Sequence, residues 1–417
     1  MSFKHYDVVV IGGGPAGMMA AGRAGQLGRS VLLLEKNPTL GKKLLLTGGG
    51  RCNLTNRKLL TTKIFIEKYK KSSKFLFSTF AQFGVEETIN LFSRLGMDTK
   101  EEEEGRVFPI SDSAVSVLSA LVRYMREGKV EVRTNAGVSG IFVAEDTKLF
   151  HIKMKDESEV IAKSCIIATG GISRPETGST GEGFLWLKKI GHKTIDNDMA
   201  LVPIALSDAW IKKISGVTLE NIKLTAFQNG KKQKSQNGKI LFTHFGISGP
   251  TILNMSKEIG ELLQNGEVAV ILDLFPKIDH KELKKKLQEL LISESNKKLK
   301  NTLAQLIPLS LVSAILDISE INGETINRNV SHDDRVKLVM LTKAVPLHVK
   351  GLLGANKAII SSGGVDLREV NFKTMESRIV PSLYLVGDVL NIDRPSGGYS
   401  LQLCWTTGYV AGNNCGI

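Results

Sequence analysis

The stretch Asp7-Val8-Val9-Val10-Ile11-Gly12-Gly13-Gly14-Pro15-Ala16-Gly17 decides the fold. Val8 to Ile11 is a β-branched run, as a strand buried on both faces requires. Gly12, Gly14 and Gly17 follow at the spacing of a dinucleotide-binding turn. The first permits a tight strand-to-helix reversal, the second lets backbone approach a pyrophosphate, and the third lets the helix pack on the strand. Met18 to Leu27 is apolar and rich in Ala and Gly, suited to a helix lying close on a sheet. Ser30 to Leu34 reads as a second strand. It ends at Glu35, about 20 residues on, where a carboxylate accepts hydrogen bonds from ribose hydroxyls. This is one βαβ unit of about 30 residues. Its helix N-terminus offers N–H groups and a positive dipole end to phosphates.

Further along, four more glycine-bearing segments punctuate strand-like or helical runs. Gly48-Gly49-Gly50-Arg51-Cys52-Asn53 cannot be the interior of a helix or strand, because three glycines cost too much chain entropy. Either it is a mobile loop or its backbone approaches something, with Arg51 available to counter pyrophosphate charge. Cys52 reads as a packing residue. Ser164 to Thr169 is an apolar strand ending in Gly170-Gly171, close to the adenosine half of a bound cofactor in the functional reading. Ser382 to Val386 is a late strand ending at Gly387-Asp388, where a carboxylate can hold the ribityl chain of a flavin. Gly397-Gly398 then opens a C-terminal helix whose N–H groups would face a flavin pyrimidine ring and stabilise negative charge on it. Ala114 to Arg126 is an amphipathic helix, and Phe150 to Met154 with Val160-Ile161 suggests an antiparallel ribbon.

Between these α/β segments the character changes. From Asp196 to Phe275 short alternating strands are separated by turn signals such as Gln228-Asn229-Gly230 and Gln236-Asn237-Gly238. Residues 277 to 345 are helical and Lys-rich, with Leu283, Leu287, Leu290 and Leu291 forming an apolar stripe. The expected organisation is a cofactor domain from 1–195 and 346–417, interrupted by a β-rich domain (196–276) and a helical domain (277–345).

At 417 residues the chain is too long for one minimal domain, and 42% hydrophobic with 23% charged residues excludes disorder and fibrous classes. No run approaches the roughly 18 to 20 apolar residues that span a bilayer, and the N-terminus reads as a first strand, not a signal peptide. Cys52, Cys165, Cys404 and Cys415 form no C-x-x-C pair, which excludes a thioredoxin-like centre and a Cys-based zinc site and fits a reducing cytoplasm. No metal site and no membrane partner are expected. The formal net charge of +13 admits a nucleic-acid partner. The helical Lys residues interleave with Glu282, Glu289 and Glu294, however, and aromatics are sparse among them, so a solvated face is the preferred reading.

The sequence resembles the BaiN/YhiN-type family of FAD-dependent oxidoreductases, which includes proteins called aminoacetone oxidases. The matching runs are Val9 to Gly17, Thr47 to Asn56, Gly105 to Pro109, Ala168 to Gly171, Phe242 to Pro250, Ser362 to Val365, Thr374 to Ser377 and Gly397 to Gln402. The resemblance spans nearly the whole chain. It implies an α/β fold: a Rossmann-type, glutathione-reductase-like FAD domain with an inserted β-barrel-like domain and a helical domain. It implies non-covalent FAD held through Gly12, Gly14, Pro15, Ala16, Gly17, Glu35, Lys36, Val138, Thr169, Gly170, Gly387 and Asp388. The isoalloxazine would lie near Gly49, Gly50, Arg51, Cys52, Asn53, Gly363, Gly364, Gly397, Gly398, Tyr399, Ser400 and Leu401. The family usually has Gly-Glu-Val-Leu-Asp where this chain has Gly387-Asp388-Val389-Leu390-Asn391, and Asn where this chain has Ser400.

The function so implied is electron transfer between a small-molecule donor and an acceptor through FAD. A single dinucleotide fingerprint leaves no dedicated NAD(P)H domain. Either NAD(P)H visits transiently, or the donor is a substrate such as an amine with O2 as acceptor. His244 and Arg106 are the catalytic candidates. An RNA-acting flavoprotein and a non-catalytic FAD-binding protein are the alternatives.

Overall fold

The β-branched run forms the centre of a parallel sheet. In the computed structural model, which describes residues 5–58, 62–354 and 360–416, Val8, Val9 and Val10 of the strand His5–Ile11 are fully buried. Met1 to Lys4 of the expected N-terminal strand lie outside the described residues. Val31–Leu34 pairs with His5–Ile11 on one side, from Val8↔Val31 to Ile11↔Leu34. Glu159–Ile167 pairs with it on the other, through Val9↔Cys165 and Ile11↔Ile167. Glu131–Arg133 extends the sheet beyond Val31–Leu34. Leu383–Leu385 joins it at Glu159–Ile167, with Leu383 opposite Cys165. The late strand therefore shares the sheet of the first. The earlier half of Glu159–Ile167 pairs antiparallel with Phe150–Met154, which pairs in turn with Val138–Val143.

The first helix, Pro15–Gln26, lies against the last, Tyr399–Asn414. A Cβ on Gly408 would stand 2.4 Å from the Ala16 carbonyl oxygen, and one on Gly412 would stand 2.4 Å from that of Ala20. Two helical glycines cost about 1 kcal/mol each in propensity. In return the last helix rests directly on the backbone of the first. Trp405, fully buried on the last helix, donates from Nε1 to the Leu54 carbonyl at 3.0 Å.

The chain divides into two compact units, 1–200 with 358–417, and 201–357. The second unit is a closed antiparallel barrel of Ile204–Leu206, Gly246–Ser248, Lys231–Thr243, Thr218–Gln228, Ala269–Asp273 and Val345–Leu352. Leu283, Leu287 and Leu291 of the helix His280–Ser293 belong to the same apolar core as Phe242 and Val270 of the barrel. The structure thus differs from the expected boundaries at 276/277 and 345/346. After the helices, Val345–Leu352 returns to pair with Ala269–Asp273 and with Ile204–Leu206. A barrel has to close both of its edges, and this late strand does so.

Candidate functional site

The turn after Ile11 is shaped by close approach. Gly12 has φ of +113°, and a Cβ there would lie 2.4 Å from the Ala168 carbonyl oxygen; one on Gly17 would lie 1.9 Å from that of Gly12. Both positions serve packing. Gly14 is of another kind. Its φ of −81° suits any residue, yet a Cβ there would meet nothing within 4 Å, because the position opens onto a cavity.

Of the residues expected at a cofactor, Gly12, Gly14, Pro15, Ala16, Glu35, Lys36, Val138, Thr169, Gly170, Asp388, Ser400 and Leu401 line this one cavity. Asn37, Lys43, Ser179, Trp186 and Cys404 join them without having been foreseen. The helix Pro15–Gln26 has no side-chain cap and no acidic residue in its first turn. The positive end of its dipole therefore meets the cavity with no anion from its own first turn, and Glu35 bonds Gly13 N ahead of the helix, which leaves the helix N-terminus to suit a pyrophosphate.

Glu35 is buried and firmly held. Its Oε2 accepts from Gly13 N at 2.8 Å, and its Oε1 accepts from Asn37 N at 2.8 Å and Asn37 Nδ2 at 2.7 Å. An ionised carboxylate has about four acceptor sites, so capacity remains for a ribose hydroxyl. Lys36 spans the rim, donating to Thr180 Oγ1 at 2.8 Å and pairing with Glu182 at 2.7 Å. The Thr169 hydroxyl is buried without a partner, against Gly183, where a Cβ would come within 2.2 Å of it.

Toward the last helix, Asp388 pairs with two cations. Lys43 Nζ lies 3.2 Å from Oδ2, and Arg394 Nη2 pairs with Oδ1. Arg394 also donates from Nε to Ser400 Oγ at 3.0 Å and from Nη1 to the Ile392 carbonyl at 2.7 Å. Burial alone would push the Asp388 carboxyl up, but Arg394 and Lys43 outweigh it and hold the group below the usual carboxylate range.

The structure also brings the second glycine loop to the start of the last helix. The Asn53 amide satisfies its neighbours with its oxygen toward Gly398 N at 3.1 Å and its nitrogen toward the Thr55 carbonyl at 2.9 Å. Asn56 Nδ2 donates to the Gly397 carbonyl at 3.0 Å. Gly49 and Gly50 are exposed, with φ of +68° and +88°. Tyr399 is buried, and its carbonyl accepts from Tyr69 Oη at 2.8 Å. Gly363 has φ of +95°, and Gly364 packs on the turn at Val389, whose oxygen a Cβ would meet at 2.6 Å. Gly387 meets Ala16 of the first helix. These residues stand outside the cavity wall.

Arg51 requires a correction. It pairs with Glu102 and with Asp112 at 2.6 Å, and its guanidinium lies 4.1 Å from the centre of the Phe108 ring. Those carboxylates claim the charge that the sequence offered to a pyrophosphate, and the cations lining the cavity are Lys36, Lys42 and Lys43. Cys52 is fully buried, and burial pushes its thiol up to about 12. Arg106 donates to the Glu103 carbonyl at 3.1 Å and does not line the cavity. His244 is exposed in the barrel unit, edge-on to Phe245 at 4.9 Å. Among the described residues no His, Cys, Asp and Glu cluster suits a metal, and no helix is long and apolar enough to cross a membrane.

Residues 6–414 match the family described as HI0933-like protein Rossmann domain. The chain is 31% identical over 413 residues to the ribosomal RNA dihydrouridine synthase of Escherichia coli (strain K12), covering 98% of this chain and 97% of that protein. It is 30% identical over 406 residues to the 3-dehydro-bile acid delta(4,6)-reductase of Clostridium scindens, covering 97% of each. In fold it is similar to 3-ketosteroid delta1-dehydrogenase from Sterolibacterium denitrificans, with a TM-score of 0.56 at 12% identity over 98% of this chain and 99% of that one. The cavity, the uncapped helix and the match along the whole chain agree: the protein belongs to the HI0933-like Rossmann family of the BaiN/YhiN type and is an FAD-dependent oxidoreductase.

Proposed function

We propose that the chain uses FAD to reduce a carbon–carbon double bond conjugated to a carbonyl in a small molecule, with NAD(P)H visiting transiently as electron donor. One observation carries this reading. Relatives matched along nearly their whole length are named for forming dihydrouridine in ribosomal RNA or for reducing a 3-dehydro bile acid, and both names describe saturation of such a bond. Dihydrouridine is uridine whose ring double bond, conjugated to a carbonyl, has been reduced. A delta(4,6)-reductase of a 3-dehydro bile acid works on double bonds conjugated to a ketone.

Conjugation lets the carbonyl take up electron density as the far carbon is reduced, so the protein's task is to bind, orient and exclude water. FAD, when bound, supplies the two-electron chemistry. Gly14 and the N-terminus of Pro15–Gln26 would hold its pyrophosphate, Glu35 its ribose and Asp388 its ribityl chain. The N-terminus of Tyr399–Asn414 and the Gly48 to Asn53 loop would border its ring. The four cysteines are free and buried, which supports direct transfer over a dithiol relay.

A uridine within RNA is the second reading. Lys231 and Lys232, exposed at the tip of the Thr218–Gln228/Lys231–Thr243 hairpin, have no carboxylate partner among the described residues. Lys234, Lys239, Lys285, Lys297 and Lys300 do, and the pairing of these lysines supports the small-molecule reading.

The test is anaerobic mixing of the FAD-loaded protein with NADH, with NADPH and with a panel of amines while flavin absorbance is recorded. A 3-oxo-4,6-diene steroid is then added, or a ribosomal RNA transcript. Bleaching by a nicotinamide followed by recolouring with the steroid supports the main reading. Recolouring only with RNA, with dihydrouridine formed, transfers the assignment to the second. Bleaching only by an amine, with recolouring only by O2, overturns both.

A further inference from the structure

Asp388 and Ser400, two positions at which this chain departs from the residues usual in the family it resembles, bond to one and the same guanidinium. Arg394 has a fully buried side chain and lies behind the cavity wall that Asp388 and Ser400 form. Lys43 approaches the same carboxylate from the other oxygen and is tied to Ser173 Oγ at 2.6 Å. Two cations thus share one anion. The side chains are 0% exposed for Arg394, 12% for Asp388 and 23% for Lys43, so the one surplus positive charge is poorly screened by water.

Resting on the FAD reading above, we propose that Arg394 is a positioning residue that raises the reduction potential of the bound flavin. A flavin that takes up two electrons and one proton gains one negative charge. The surplus charge of the Lys43–Asp388–Arg394 cluster stabilises that gain, and the fork from Arg394 to Asp388 and Ser400 fixes where the charge stands. A merely structural role for Arg394 would affect folding and cofactor retention and leave the potential of retained flavin where it was.

The test is the midpoint potential of FAD-loaded protein, read by equilibrating the flavin with a reference dye and recording both absorbances. Arg394→Gln lowers the potential, Arg394→Lys restores most of the shift, and Lys43→Met lowers it as well. A yellow Arg394→Gln protein with the wild-type potential overturns the proposal. If that variant fails to fold, Lys43→Met decides, and an unchanged potential there overturns it equally. Wild-type protein that takes up no FAD overturns the cofactor reading itself. Flavin that reduces normally but never passes electrons to a conjugated alkene overturns only the proposed reaction.

Discussion

Glu35 Oε2 sits 2.8 Å from Gly13 N, so the acid that ends the second strand is tied to the turn that ends the first. The carboxylate therefore builds the site as well as facing its ligand. In Glu35→Gln the side-chain amide cannot accept from Gly13 N and both Asn37 donors at once. A hydrogen bond to a charged group is worth about 1.5–3 kcal/mol, so the cofactor-free protein should lose about 2 kcal/mol in urea denaturation, before any effect on FAD affinity. A cofactor-free variant as stable as wild type would count against this dual role.

The glycines of one motif should separate by their effect. Gly14→Val places its side chain in the open cavity, so the protein should fold with the wild-type melting temperature and bind no FAD. A Cβ on Gly17 would lie 1.9 Å from backbone, and Gly17→Ala should cost about 1–3 kcal/mol or more through overpacking. Thermal melts beside the ratio of flavin to protein absorbance distinguish the two. Equal loss of stability in both would refute the assignment.

Thiol chemistry offers an independent check of burial. Burial pushes Cys52, Cys404 and Cys415 up to about 12 and raises Cys165 as well. The thiolate is the reactive form, so Ellman's reagent should find no fast-reacting thiol in the native protein at neutral pH and four after guanidinium unfolding. A rapid native reaction would show that the chain around one of these thiols opens or, at Cys404, that the reagent enters the cavity that this residue lines.

Asp388 sets the sign of an acid effect. Its folded pKa lies below the ordinary value, so its stabilisation is present at all pH above the unfolded carboxylate range and is lost as pH falls through the folded value. Asp388→Asn leaves Arg394 buried without its carboxylate, at a cost of about 3–5 kcal/mol. Denaturation at several pH values should show this penalty constant from about pH 8 to about pH 5 and shrinking only in stronger acid. A penalty that already fades near pH 6 would contradict the ion-pair assignment.

What could be read from the sequence was what is written locally. The Val8 to Glu35 unit declares itself through β-branched residues, glycine spacing and a terminal acid, all within one turn of chain. Glu159–Ile167 could be recognised as a strand, but its pairing with Leu383–Leu385 joins residues some two hundred positions apart, and no local pattern encodes that. Arg394, between Asp393 and Pro395, reads as a solvated turn residue; only the fold buries it against Asp388. Lys43 likewise sits in a Gly-Lys-Lys run that resembles surface. The surroundings of Arg51 are illegible for the converse reason. Its carboxylate partners, Glu102 and Asp112, come from segments whose approach the sequence does not announce. The final barrel strand went unrecognised because helices separate it from the strands that it closes on.

The Ala16–Gly408 and Ala20–Gly412 contacts carry a consequence for biosynthesis. The turn that begins the site leaves the ribosome before the barrel unit, whereas Asp388, Ser400, Leu401 and Cys404 of its opposite wall are made after it. The nascent chain must hold an unfinished cleft, with the apolar face of its first helix uncovered, until Tyr399–Asn414 arrives to seal it. Cofactor capture therefore waits on Tyr399–Asn414, and a ribosome stalled within that helix would carry a chain with its barrel complete and its flavin site still open.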